Sequence, residues 1–110
     1  MKKAVALAGL LLFVSAASSY AESIYVKYRG NVDLSPFSCS RITRSSFVNR
    51  VCYDARNAYM IIQLKDTYYH YCEISNSVVS GLMSADSMGR YFNANIKGNY
   101  DCRVNRIPKY

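Results

Sequence analysis

With 110 residues and a formal charge of +7, the chain has room for one domain and shows no repeat, low-complexity tract or second domain. The charge falls to +5 once Lys2 and Lys3 are set aside, and its basic residues are scattered from Lys27 to Lys109, as on a solvated surface. Such a surface attracts anionic partners, lipid head groups or acidic polysaccharide among them, but it is not a dense nucleic-acid footprint.

Residues 1–21 read as a secretory leader that excludes itself from the fold. Lys2 and Lys3 form the positive end, Ala4 to Val14 the apolar core and Ser19-Tyr20-Ala21 the small-x-small cleavage site. The apolar run is about half of the ~20 residues that a membrane span requires, so no transmembrane segment is expected after cleavage. The first cysteine is Cys39, which excludes a lipid-anchored leader. A periplasmic or secreted, oxidised protein of 89 residues is the expected product. Cys39, Cys52, Cys72 and Cys102 are then the natural staples of a small core, and two disulfides are expected. The gaps of 13, 20 and 30 positions, without a Cys-x-x-Cys pair, speak against zinc.

In chain order, residues 22–43 read as an N-terminal extension. Ile24, Val26 and Tyr28 alternate with polar neighbours before the Gly30-Asn31 turn, and the polar stretch 38–46 reads as a connector. Residues 44–110 read as the domain proper. Three short stretches rich in β-branched and aromatic residues, 47–53, 58–64 and 67–74, predict an antiparallel meander. Ser75-Asn76 opens a helix with Val78, Val79, Leu82 and Met83 on one side. Asp86-Ser87 opens a second with Met88, Phe92 and Ile96, and Gly98 stops it. The expected class is therefore α+β: a small three-stranded antiparallel meander covered on one face by two C-terminal helices and stapled by disulfides.

The densest chemistry lies at Tyr68-Tyr69-His70-Tyr71-Cys72, which holds the single histidine. A two-residue loop at Lys65-Asp66 sets Ile62 opposite Tyr69 and Met60 opposite Tyr71. A four-residue loop after Tyr53 sets Tyr53 opposite Ala58 and Val51 opposite Met60. Tyr53, Met60, Ile62, Tyr69 and Tyr71 then share the face that Leu82, Phe92 and Ile96 cover, and these eight are the expected core. Tyr59, Ile61 and Gln63 face the other way, with Tyr68, His70 and Cys72 on one side of them and Arg50 and Cys52 on the other. Cys52 and Cys72, both opposite Tyr59 on strands two apart, would be roughly 10 Å from one another, beyond the ~7 Å reach of a disulfide. Each is expected to pair with Cys39 or Cys102.

The elements Ser45-Ser46-Phe47-Val48 with Val51-Cys52-Tyr53-Asp54, Tyr69-His70-Tyr71, Gly81-Leu82-Met83-Ser84-Ala85, and Ser87-Met88-Gly89-Arg90-Tyr91-Phe92-Asn93 with Ile96-Lys97 and Tyr100 resemble the KTSC domain across about residues 44–107. That family is named for its occurrence at the C-terminus of some lysyl-tRNA synthetases and includes small stand-alone bacterial and phage proteins. The resemblance implies no enzymatic activity; RNA binding has been suggested for the family from the synthetase association. Here Cys52 replaces a usual Gly, Cys72 and Cys102 stand where aromatics are common, Ser75 replaces a common Pro, and the second hairpin is one residue shorter. An exported, disulfide-containing branch is implied, and export disfavours a nucleic-acid partner.

No catalytic set, metal site or cofactor motif is evident, so the chain is expected to be a non-enzymatic binding or interaction module for an envelope component or another protein; nucleic-acid binding is the alternative. The candidate binding residues are Ser87, Gly89, Arg90 and Asn93, which could hold an anion at a helix start, together with Tyr68 and His70 on the sheet.

Overall fold

The structure, a computed structural model, describes residues 21–110. Apart from Ala21, the expected leader lies outside the described residues. Instead of a three-stranded meander, the chain forms a six-stranded sheet with β1 (Ser23–Val26), β2 (Gly30–Asp33), β3 (Ser38–Arg41), β4 (Val48–Asp54), β5 (Tyr59–Leu64) and β6 (Thr67–Cys72). The spatial order is β2-β1-β6-β5-β4-β3, antiparallel throughout except where β1 runs parallel to β6.

The three additional strands have separate causes. β1 and β2 form a hairpin around Lys27-Tyr28-Arg29, joined to β6 at Val26 opposite Tyr68 and by the Lys27 N–H donating to the Tyr68 carbonyl at 2.9 Å. β3 comes from the polar stretch read as a connector. It has no apolar alternation because it is an exposed edge, and it is fixed by pairing with β4, where Cys39 lies opposite Cys52.

Curvature follows from connectivity. β2 and β3 are the two edges of the sheet, and six flat strands would hold them about 24 Å apart. Only Leu34–Phe37 joins them, and five Cα steps from Asp33 to Ser38 reach at most about 18 Å. The sheet must curl, and it forms a half-barrel.

The β5–β6 register is the expected one, with Ile62 opposite Tyr69 and Met60 opposite Tyr71. On β4–β5 the partners are Tyr53 with Met60 and Val51 with Ile62, two positions from expectation. The loop is Ala55–Ala58, with Ala58 at φ 50° and the Asp54 carboxylate accepting from the Arg56 N–H and Asn57 Nδ2. A slide of two leaves every side chain on its face. Cys52 consequently lies opposite Ile61 rather than Tyr59.

The convex face carries α1 (Asn76–Ser84) and the one-turn α2 (Met88–Tyr91), which continues as a π-helical turn, Phe92–Ile96. Ser75 Oγ accepts from the Val78 N–H and Ser87 Oγ from the Arg90 N–H, capping both starts. Arg44 donates to the Met83 and Ala85 carbonyls at 2.8 Å each, satisfying orphan acceptors at the end of α1. Beneath them Val48, Val51, Met60, Ile62, Leu82, Phe92 and Ile96 are buried, with Tyr53, Tyr69 and Tyr71 partly buried against them. Inside the curl lies a second core of Val26, Val32, Leu34, Cys52, Tyr59, Ile61 and Cys72. Disulfides join Cys39 to Cys52 and Cys72 to Cys102, so β3 and the segment after the helices are both tied to this inner core.

Candidate ligand cleft

The candidate binding residues do not converge. Ser87 is the α2 cap, and Gly89 admits Phe47, whose ring would lie 2.5 Å from an added Cβ. That glycine is explained by packing. With Arg90 and Asn93 it belongs to the helical layer, while Tyr68 and His70 lie on the opposite face of β6. Tyr68 Oη accepts from Arg50 Nη1 at 3.2 Å, and the same guanidinium grips Glu22 at 2.7 and 2.9 Å. The hydrogen bond from Arg50 holds the Glu22 carboxyl below its ordinary range. Tyr68 is thus part of a brace between the sheet and the residue preceding β1.

His70 has a different setting. Its Nδ1 is 2.8 Å from Tyr59 Oη, and the rings meet edge to face at 5.8 Å. Burial lowers its pKa, the Arg29 charge lowers it further, and Asp101 works weakly against both. The ring is therefore neutral at pH 7.

Strand alternation turns the backbone of Tyr68, His70 and Cys72 toward the outer edge of β6. The Tyr68 carbonyl is taken by Lys27, and the Cys72 N–H donates to the Tyr100 carbonyl at 2.8 Å. Between these two points β1 has diverged. The His70 N–H and C=O therefore face an open cleft of about 630 Å³, and among the described residues neither has a partner there.

Tyr28, Tyr69, Tyr71, Asn99, Asp101 and Arg103 line this cleft. Tyr28 is 82% exposed and takes φ 71°, a left-handed backbone that a bulky side chain rarely adopts. Lys27 Nζ lies 5.4 Å from its ring and 5.8 Å from that of Tyr69. The hydrogen bond from Arg103 brings the exposed Asp101 carboxyl down to about 2, so the rim carries an ion pair at working pH. Tyr71 serves twice, since it lines the cleft and also meets Phe92 edge-on at 5.7 Å in the convex core. Tyr28, Asn99, Asp101 and Arg103 were absent from the sequence-based candidates. No motif marks them, and only the divergence of β1 and the Cys72–Cys102 bond brings them to β6.

His70 and the sulfurs of Cys72 and Cys102 lie within 4.8 Å of one another. The sulfurs are bonded to each other, however, and a disulfide sulfur lacks the thiolate charge that metal ligation uses. Among the described residues, no helix is long and apolar enough to cross a membrane.

These features define a small disulfide-stapled α+β domain with an open strand edge beneath exposed aromatics. The sequence model of the KTSC domain matches residues 44–100, and the chain belongs to that family. Among solved structures it is similar to a KTSC domain protein from Yersinia pestis, with 29% identity and a TM-score of 0.56 over 59% of this chain and 92% of that one. No curated protein matches the chain. The matched span contains β4–β6 and the helices, whereas β1–β3 precede it and Asp101–Arg103 follow it. Much of the cleft therefore lies outside the family match.

Proposed function

We propose that this KTSC domain is an exported, non-enzymatic binding module that takes an extended segment of a partner protein along the open edge of β6. The observation that carries the reading is the cleft over His70, where a backbone donor and acceptor stand unpaired on a strand edge beneath the exposed Tyr28. Strand addition uses these elements: main-chain hydrogen bonds give affinity, and flanking pockets select side chains. Exposed Ile107 adds apolar surface to the lining of the cleft, as a protein partner would use. The export part rests on the leader at residues 1–21 and on two disulfides that an oxidising compartment would maintain.

The test is photocrosslinking in exporting bacterial cells, with a benzophenone amino acid placed at Tyr28 or, as the comparison, at exposed Ser77 on α1. The reading predicts a discrete adduct from position 28 alone, in a chain whose leader has been removed. Adducts from position 77 only, or a mature chain that retains residues 1–21, would contradict it. A low-salt shift of the His70 and Tyr28 resonances by an oligoribonucleotide would replace it with RNA binding.

A further inference from the structure

We propose that the seat filled by Tyr110 is a binding site for a tyrosyl side chain presented by another polypeptide, with Tyr110 as its resident occupant. No residue of the His70 cleft enters the argument. The Tyr110 hydroxyl donates to Asp54 Oδ2 at 2.6 Å. Asp54 is buried in the β4–β5 turn, and its bonds from the Arg56 N–H and Asn57 Nδ2 keep the carboxylate aimed. The ring lies 5.4 Å from Phe37 and 6.2 Å from Tyr59, and the Arg29 guanidinium sits 5.5 Å from its centroid. Ahead of it, Pro108 is buried and its carbonyl accepts from Arg29 Nη2 at 2.7 Å. A carboxylate acceptor, two aromatic walls and a cation over the ring are what a phenol requires.

Two features show that the resident occupant does not use the seat fully. Tyr110 remains 48% exposed, and Arg29 Nη1 is buried with no hydrogen-bond acceptor. A ligand that brings a carbonyl to that donor completes a bond that Tyr110 leaves unmade. The surroundings have room for a longer segment. One cleft of about 1010 Å³ runs along α1 beside β3 and β4, another of about 560 Å³ runs beside β2, and both end on Pro36 and Tyr110. The two meet at the seat, so chain on either side of an inserted tyrosine has a path over the surface.

The experiment uses the full oxidised chain carrying Tyr110→Ala, followed by ¹H–¹⁵N spectra during titration with p-cresol and with toluene, the same ring lacking the hydroxyl. p-Cresol is expected to shift the Phe37, Asp54, Arg56 and Tyr59 amides saturably, with toluene at least ~10-fold weaker because a hydrogen bond to a charged acceptor is lost. Wild type should show the same shifts only at concentrations at least ~10-fold higher, since an incoming phenol must displace Tyr110, which fills the seat at a high effective concentration. The peptide acetyl-Ile-Pro-Lys-Tyr-amide should bind the same variant more tightly than p-cresol. Equal binding of toluene and p-cresol, an equal response of wild type, or no response up to the solubility of p-cresol would overturn the proposal. Tyr110→Phe keeps the ring if the alanine variant does not fold. It should respond to p-cresol at lower concentration than wild type, and silence there counts equally against the site.

Discussion

Removing the Cys72–Cys102 bridge by a double alanine substitution tests how the two faces are held together. The bond spans 30 positions and ties the segment after the helices to β6, whereas Cys39–Cys52 spans 13 and joins neighbouring strands that also pair through their backbones. The chain-entropy relation gives about 3.6 kcal/mol for the longer loop and about 2.9 kcal/mol for the shorter. At roughly 4–8 °C per kcal/mol for a domain of this size, the longer bridge corresponds to a melting temperature lower by about 15–30 °C. Urea unfolding followed by far-UV circular dichroism at pH 7, on both double variants, measures the two losses. Loss of Cys72–Cys102 should be the more damaging, since only the Cys72 to Tyr100 backbone bond and the contacts of the tail then hold that segment. A cost below about 1 kcal/mol, well under the range for a native disulfide, would refute the assignment of the tail as an integral wall of the half-barrel.

Two further outcomes follow from particular side chains. Gly89→Ala should lower stability by about 1–3 kcal/mol, the cost of overpacking, because its Cβ would meet Phe47 at 2.5 Å; an increase in melting temperature, as helix propensity alone would give, would contradict that packing. The pKa of His70 is depressed in the folded chain, so its contribution is fully present above the unfolded value of about 6.5 and is lost as pH falls through the folded one. Urea midpoints should therefore decline from pH 7.5 to pH 5, and His70→Asn should flatten that slope; an unchanged slope would place the titrating group elsewhere.

The β5–β6 register was legible in the sequence because a two-residue turn and a period of two leave few alternatives at Ile62, Tyr69, Met60 and Tyr71. The convex core followed from it, since Leu82, Phe92 and Ile96 recur at helical spacing. β3 was not legible, because Ser38-Cys39-Ser40-Arg41 is an exposed edge and carries no apolar alternation. The parallel attachment of β1 was hidden for another reason: the strand has an alternating pattern, but its partner β6 lies about 40 positions away, and nothing local specifies such a pairing. Tyr59 and Ile61 were correctly placed facing away from the helices, yet their complete burial depends on curvature set by the short β2–β3 link. At Ser87 and Gly89 the structure shows a helix cap and a glycine packed against Phe47, roles that the Ser-x-Gly sequence does not distinguish from anion recognition. The cleft residues from opposite ends of the chain acquire their meaning only when the disulfide and the hairpin bring them to His70.

Residue-resolved amide hydrogen exchange of the oxidised protein tests the open edge of β6 most directly. The Tyr69 and Tyr71 amides point toward β5 and should be strongly protected, and the Cys72 amide should be protected by the Tyr100 carbonyl. The His70 amide should exchange orders of magnitude faster than these neighbours, at a rate set by local openness rather than global unfolding. Protection of His70 equal to that of Tyr69 and Tyr71 would mean that the edge is already paired, and strand addition there would be ruled out.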